Sequence, residues 1–503
     1  MTATIQAHLP VFVVIAPLFV SFVLSPMARR FRLVQSLVVG VETLGLLWAA
    51  YLAGMILVGK GVPIVYSMGG WSAPWGIELW VGNLGAFFLL VISGVMLPVS
   101  LYAVDNLGEE VGDAQRSTRF FVLYLLLSGA LAGMAITNDL FNVFVLVEVA
   151  TLSCCGLVSA SRGPKAAEAA FNYLILATLG SGLILGGIGF MYIITGNLNM
   201  GFAAQQLSQV WRHYPHVVWM AISFFLVGFG VKAALFPLHV WLPDAHSSAP
   251  SPASAILSGL AVKGYIICLM KILYNVFGVS LLTVFNLDRI LVLLGMVAIL
   301  AGSMLALAQD ELKRRLAYST VAQIGYVFLG MGLMNTRGLT GTLFHMASHA
   351  LIKSSLFLAA GAIISGTGKA RVSELAGVGR QMPITMGVFT IGSLALVGIP
   401  LFSGFVGKWY MLQGSLEMGG YLPATVIIIG SVLCAGYLFP IIRVAYFEPV
   451  SEGFKSGTTW QDPGVFQKTA LILLAVGIVV LGVIPGPLLD LATRAAADFL
   501  LIY

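Results

Sequence analysis

The sequence predicts an all-α polytopic membrane protein of about 14 transmembrane helices. Two observations carry that expectation. Apolar runs of about 20 residues, each long enough to cross ~30 Å of hydrocarbon as a helix, recur from one end of the chain to the other. Of 503 residues, 59% are hydrophobic and only 9% charged, and the mean hydropathy is +0.97. So much apolar surface cannot be hidden inside a water-soluble shape, so the solvent is lipid.

The expected span cores are residues 9–27, 33–58, 80–104, 119–136, 140–160, 168–194, 217–236, 252–275, 290–308, 316–334, 339–364, 384–410, 422–446 and 467–490. The first run lacks the basic start and small-residue cleavage site of a signal peptide and reads as a retained helix. Cys154, Cys155, Cys268 and Cys434 all fall inside apolar runs. They show no CxxC or metal-ligand spacing and read as small packing residues. No GxGxxG or P-loop opens a helix, so no cofactor or metal is expected, and catalysis on a soluble cofactor is not the business of this chain alone.

The formal charge of +6 has a membrane explanation and points to no nucleic acid. Sixteen of the 26 basic residues, among them Arg29, Arg116, Lys313, Arg315 and Lys455, fall in alternate loops that define one face. The other face and the tail hold Lys60, Arg212, Arg289, Arg337 and Arg494. Positive charge marks the first face as cytoplasmic, which places both termini outside.

The remaining five basic residues, Lys232, Lys263, Lys271, Lys353 and Lys408, lie within spans, with Glu42, Glu148, His345 and His349. An ion at mid-bilayer costs at least ~2.5–3.5 kcal/mol, so such groups face a bundle interior or a wet cavity. A buried Lys tends to lose its proton and a buried Glu to gain one, and pairing restores both charges. A row of them can pass a proton by changing partners. The plainer reading is snorkelling, favoured for Lys271 and open for Lys353. Glu148 is too central and too short for it.

Lys232 precedes Pro237 by five residues, and Lys408 follows Pro400, Ser403, Gly404 and Gly407. Proline removes a backbone donor, so both segments are expected to be kinked or discontinuous helices. Two such breaks at equivalent stations suggest inverted repeats, although helices also use proline and glycine simply to pack closely. The expected layout is one membrane domain over 1–503, with helices 1–3 in 1–110, repeat one (helices 4–8) in 119–275, repeat two (helices 9–13) in 288–447, and helix 14 with a tail in 466–503.

His345, His349 and Lys353 are spaced four and four, along one helical face. No HExxH pattern or third ligand accompanies them. A polar stripe suited to proton relay is the preferred reading, against histidines satisfied by neighbouring backbone. The peptide LHVWLPDAHSSAPSPASA carries His239, Asp244 and His246. It reads as a rigid loop at the membrane surface whose titratable groups form a proton inlet, or else as loop structure capped by Asp244 and Ser251.

FGVKAALFPLHVWLPDAHSSAPSPASAILSGLAVK, DELKRRLAYSTVAQIGY, HALIKSSLFLAAG and GIPLFSGFVGKW, in this order, resemble the antiporter-like proton-translocating subunit family shared by complex I, Mrp cation/proton antiporters and membrane-bound hydrogenases. The resemblance covers essentially the whole chain. It implies 14 helices, two inverted five-helix repeats with discontinuous helices 7 and 12, and a hydrated polar axis. Glu148 matches the family's fifth-helix glutamate, Lys232 the seventh-helix lysine that pairs with it, Lys263 the bridging lysine of the eighth helix, and Lys408 the ionisable group of the broken twelfth. The implied route runs from Lys232 through Lys263 and the His345/His349 region to Lys408, started when a neighbouring subunit separates Glu148 from Lys232. GNLNM at 196–200 looks most like the D-type subunit of Mrp antiporters, and the long lateral helix of L-type subunits is not expected. Lys263 is followed at once by Gly264 and Tyr265, where the family often has a spacer residue. That leaves open whether Lys271 shares its work.

The implied partners are other membrane subunits of one complex, a peripheral redox module where the complex is an oxidoreductase, lipid, H+ and, in an antiporter, Na+. The implied location is the prokaryotic cell (inner) membrane. The competing readings are a redox subunit that itself binds quinone or haem, and an independent solute carrier.

Overall fold

The computed structural model describes residues 2–449 and 460–501; Lys455 lies outside the described residues. Two long apolar helices, α1 (Thr2–Leu24) and α2 (Phe31–Val58), are joined by a 3₁₀ turn over Ser25–Arg30 and lead into a short hairpin. Its strands, β1 (Ile64–Ser67) and β2 (Glu78–Val81), are antiparallel with Ile64 opposite Val81 and Ser67 opposite Glu78. Four long helices follow: α3 (Asn83–Glu110), α4 (Ala114–Ile136), α5 (Leu140–Ser159) and α6 (Pro164–Thr195). Then come the short α7 (Met200–Val210), α8 (Pro215–Lys232) and α9 (Leu242–Ser248).

Residues Ser251–Val284 form one helical run, divided into α10 (Ser251–Ile256), α11 (Val262–Lys271) and α12 (Gly278–Val284) by two π-helical segments, Leu257–Ala261 and Ile272–Phe277. After it stand α13 (Leu287–Leu307), α14 (Leu312–Gly332), α15 (Thr336–Thr367), the single turn α16 (Val378–Gln381), α17 (Pro383–Val397), α18 (Ser403–Glu417), α19 (Tyr421–Phe447), α20 (Val465–Val483) and α21 (Gly486–Leu501).

Helix limits follow from local chemistry. The side chains of Asp113, Asp139, Asn199 and Asn335 cap α4, α5, α7 and α15 by accepting from the amides of Arg116, Asn142, Gly201 and Gly338 at 2.7–3.0 Å, satisfying first-turn donors that would otherwise be orphaned. Gly196 and Gly368 end α6 and α15 in the left-handed conformation, which costs glycine nothing.

Among the described residues, 11 helical segments are long and apolar enough to cross a membrane, and the first of these, His8–Val58, takes in most of α1 and all of α2. The expected tenth span corresponds to α14, whose first turn carries Lys313, Arg314 and Arg315. The expected twelfth is divided between α17 and α18.

The structure differs from the sequence reading in three places. The peptide after α8 is no surface loop: Trp241, Leu242, Ala245, His246 and Ala249 are buried, and α9 forms within it. Neither Asp244 nor Ser251 caps a helix with its side chain. Instead Glu110, at the end of α3, accepts from both the amide and the hydroxyl of Ser251, because a carboxylate complements the positive helix N-terminus. Lys313 and Arg315, read as loop charges, are buried and donate to Ala249 O (3.1 Å), Gln309 O (2.7 Å) and Tyr437 O (3.2 Å). The expected tail is the helix α21, whose Leu491, Ala492, Ala495 and Phe499 are buried.

Candidate functional site

α6 and α8 touch backbone to backbone. A Cβ on Gly228 would lie 2.8 Å from Gly180 O, and one on Gly180 2.9 Å from Gly228 O, so only glycine fits at the crossing. This contact brings Lys232, the last residue of α8, against α5. Its Nζ lies 3.2 Å from Glu148 Oε1 and 2.6 Å from Thr151 Oγ1, and Ser181 of α6 also donates to Glu148 Oε1. The Lys232 side chain is fully buried, while Glu148 keeps 30% of its side chain accessible. On α5 Glu148 shares a stripe with the exposed Phe141, Val145 and Leu152, at helical spacings of four, three and four. The carboxylate therefore sits at the edge of the bundle.

The chain leaves the helix immediately after Lys232. Ala234 takes a positive φ of 54° and Phe236–Pro237 is a cis peptide. Trp241 Nε1 donates to Val231 O at 2.9 Å, a carbonyl that also accepts from the Ala234 amide at 3.2 Å in the turn that ends the helix. Pro237 therefore stands in a discontinuity, as expected.

Thr151, Ser181, Tyr173 and Tyr265 are the participants the sequence reading missed. The Tyr265 hydroxyl is 3.4 Å from Thr151 Oγ1 and 3.5 Å from the Tyr173 hydroxyl, contacts at the outer limit of hydrogen bonding. One of them had a signal, since Thr151 lies three residues after Glu148 on the same helical face; Ser181, Tyr173 and Tyr265 are joined to the pair only by helix packing.

Lys263 is 2% exposed and donates to Ser258 O, five residues back in the π-helical segment. A π turn widens the ladder and frees carbonyls, so the helix supplies the acceptor for its own lysine. Ser258 Oγ meets Thr320 Oγ1 of α14 at 2.8 Å. Lys353 is fully buried, donating to Leu316 O at 2.7 Å and to Ser319 Oγ; it does not snorkel. Lys263, Lys353 and Lys408 have carbonyl and hydroxyl acceptors but no carboxylate within ion-pair distance among the described residues.

His345 and His349 stack with ring centroids 5.8 Å apart and planes at 4°. Both are buried, and neither nitrogen of either ring has a partner. His345 also packs on Tyr326 at 5.6 Å. Neighbouring backbone and hydroxyls therefore do not satisfy these rings, and buried polar atoms of this kind call for water. Among the described residues no group of three or more His, Cys, Asp or Glu could hold a metal ion.

The second break separates α17 from α18. Leu401 takes φ 78° and Gly398 φ 93°, and Pro400 stands between them in the non-helical link. Lys408 reaches back to the open end of α17, donating to Leu396 O at 2.8 Å and Val397 O at 3.1 Å, and to Ser431 Oγ at 3.2 Å. An ammonium group is well placed at a helix C-terminus, where the dipole is negative. Gly404 allows the close approach, because a Cβ there would lie 1.9 Å from Ala395 O.

The three inlet candidates separate. Asp244 forms an ion pair with Arg314 at 3.1 Å and lines, with Arg162, Lys165, Glu168 and Asn172, a polar cavity of about 500 Å³. His239 is 7% exposed and stacks on Phe236 at 5.1 Å. His246 is fully buried, stacked on Phe357 at 4.8 Å, with both nitrogens unpartnered. It lies in the interior of the bundle and not at a surface.

Lys271 is buried and donates to Thr137 O, Ala135 O (3.4 Å) and Met134 O (3.5 Å). It caps the C-terminus of α4 and lines a cavity of about 740 Å³ with Asn83 and Asp498, at the other end of α5 from Asp244. Glu42 is 3% exposed and accepts from Ser128 Oγ at 3.2 Å, so it lies inside the bundle.

A bundle with two interrupted helices, each carrying a buried lysine at the break, is the architecture of an antiporter-like membrane subunit. The family model described as NADH:quinone oxidoreductase/Mrp antiporter, TM, matches residues 137–434, and the chain belongs to this family. It is similar to the NADH-quinone oxidoreductase subunit N of Desulforudis audaxviator (strain MP104C), with 36% identity over 495 residues, 95% of this chain and 96% of that one. Among solved structures it resembles a chain of the membrane-bound sulfane sulfur reductase, an archaeal respiratory membrane complex, at 30% identity, 98% coverage of both chains and a TM-score of 0.89. It also resembles a chain of the Mrp complex from Dietzia sp. DQ12-45-1b, at 26% identity, 99% and 98% coverage and a TM-score of 0.88. These relatives work within multi-subunit membrane complexes, and other membrane subunits are the partners of this protein.

Proposed function

We propose that this subunit translocates protons along the buried row Glu148, Lys232, Lys263, His246, Lys353, His349, His345 and Lys408, with His239 and the Asp244 cavity as the inlet. One observation carries the reading: His246, His345 and His349 are buried among the lysines with no protein partner on any ring nitrogen. Such groups are tolerated where water completes them, and water between titratable groups is a proton path. Lys232 is the gate. Its ammonium is held by Glu148, whose accessible side faces where a neighbouring subunit would pack. A change in the neighbour that draws Glu148 away leaves Lys232 uncompensated, and its proton moves inward.

On this reading the protein lies in the prokaryotic inner membrane with both termini outside, since the basic loops favour one face as cytoplasmic. Its partners are lipid, the other membrane subunits and, in an oxidoreductase, a peripheral redox module, and its transported ion is H+. Two inverted repeats, with Lys232 and Lys408 at equivalent breaks, give the row its inward and outward halves.

The test is proton and sodium flux in vesicles holding the assembled complex, for the native protein and for Glu148→Ala, Lys232→Ala and Lys408→Ala at equal assembly. Loss of proton flux in all three supports the row as the path, and a matching loss of sodium flux makes the complex an antiporter. Flux that survives all three overturns the reading. A haem spectrum or stoichiometric quinone bound to the isolated subunit would favour a redox role instead, and growth complementation on a solute would favour a carrier.

A further inference from the structure

The row above leaves a second set of buried polar groups unused, in the interface between α14 and α19. On α14, Ser319, Gln323 and Tyr326 are spaced four and three and fully buried; they share one face. On α19, Ser431, Cys434 and Tyr437 are spaced three and three and lie opposite. The two lysines of the second half close the ends of this seam. Lys353 donates to Ser319 Oγ. Lys408 donates to Ser431 Oγ at 3.2 Å and sits 4.7 Å from the centroid of the Tyr326 ring.

The middle of the seam is unsatisfied. Gln323 is fully buried, and no group meets good hydrogen-bond geometry at its Nε2, its Oε1 or the buried Tyr437 hydroxyl. The Gln323 amide and the Cys434 thiol both lie beside that hydroxyl. A buried polar atom left unpaired costs ~1–3 kcal/mol, whereas an apolar group of the same shape at that place costs nothing. Packing alone therefore gives no reason for a glutamine here, and a chain of waters does: Gln323 and Tyr437 supply donors and acceptors halfway between two ammonium groups.

We propose that Gln323 and Tyr437 position a water chain that carries most of the proton traffic from Lys353 to Lys408 through the α14–α19 interface, with the His349–His345 stripe as the slower route beside it. This rests on the proton-translocation reading. In each transfer a proton passes from the Lys353 ammonium to the first water while the last water gives one to a neutral Lys408 amine, so charge and atoms balance. Both are positioning residues and neither changes its own charge.

The experiment compares Gln323→Leu and Tyr437→Phe with the native protein in vesicles containing the assembled complex, reading proton flux after a valinomycin-potassium diffusion potential and the thermal midpoint of the purified complex. Because each substitution removes polar atoms whose protein neighbours are only each other and the Cys434 thiol, the complex is expected to assemble with a midpoint close to native. Flux is expected to fall about ten-fold in both, the rate equivalent of ~1.4 kcal/mol of added barrier. Flux within about two-fold of native in either assembled variant, a barrier change below ~0.4 kcal/mol, overturns the proposal. So does a lowered midpoint with failed assembly in both, which would make the seam structural. Glu148→Ala, Lys232→Ala and Lys408→Ala serve as controls in the same vesicles. If all three leave flux intact, the translocation reading itself fails; if they stop flux while the seam variants do not, only the seam is rejected.

Discussion

Lys232 and Glu148 meet at 3.2 Å with unequal surroundings: the lysine side chain is fully enclosed and the glutamate side chain is 30% accessible. The pair can therefore be broken from one side only. Whatever packs on the Phe141–Val145–Leu152 stripe of α5 acts on the glutamate, and the lysine responds. The two partners should accordingly differ when substituted. Glu148→Gln strands a buried ammonium, a loss of ~3–5 kcal/mol for one partner of a buried pair, lessened here because Glu148 is partly exposed. Glu148→Gln should lower the thermal midpoint of the complex and stop proton flux. Lys232→Met leaves Glu148 able to take up a proton and stand neutral beside Ser181, so it should stop flux with a smaller fall in the midpoint. Equal destabilisation by both would contradict this asymmetry.

Thr151 accepts the shortest polar contact of Lys232 whose length is unexceptional, 2.6 Å. Thr151→Val keeps the shape and removes the acceptor, which should cost ~1–3 kcal/mol and slow flux without abolishing it. Thr151→Ser, which keeps the hydroxyl, should restore native flux; failure to do so would mean that the methyl packing matters more than the hydrogen bond.

Lys271 and Lys263 lie eight residues apart on one helix but have different duties. Lys271 binds three carbonyls at the end of α4, so Lys271→Met should lower stability by ~1–3 kcal/mol and leave flux per assembled complex unchanged. Lys263→Met should stop flux. Vesicle assays normalised to assembled complex separate the two, and a flux loss in Lys271→Met at full assembly would place Lys271 on the path.

At the second break Gly404 has no room for a methyl group, since the nearest atom is a backbone oxygen 1.9 Å from the Cβ position. Gly404→Ala should push α17 and α18 apart, cost at least ~1–3 kcal/mol and weaken the hold of Lys408 on Leu396 O and Val397 O. Pulse-labelled assembly of the complex reads this directly, and normal assembly with native flux would show that the break tolerates movement.

Asp244 and Arg314 are both more than a third exposed, and an exposed ion pair contributes at most ~1 kcal/mol. Asp244→Asn should leave the midpoint unchanged. If the cavity it lines is the inlet, the variant should take up protons more slowly at low ionic strength, with the difference shrinking as salt screens the field. Uptake kinetics measured against salt concentration check this.

The helices and the charges inside them were legible in the sequence for simple energetic reasons. A 20-residue apolar run in water or lipid has few alternatives to a spanning helix, and a lysine or glutamate within it is too costly to be incidental. Thus Lys232, Lys263, Lys353, Lys408 and Glu148, with the breaks at Pro237 and Pro400, were found without coordinates. What those charges touch was not legible, because their partners come from distant segments and are ordinary residues. Nothing in a run of letters sets Ser181 apart from the other hydroxyls of an apolar helix, or shows that Glu110 rather than Asp244 or Ser251 caps a helix start. The inward fold of His246, the lysine caps on α4 and α17, and the polar face shared by Ser319, Gln323 and Tyr326 with α19 were decided by the tertiary structure alone. Helix packing chooses which faces meet, and only once they meet does a buried polar atom either find a partner or stand without one.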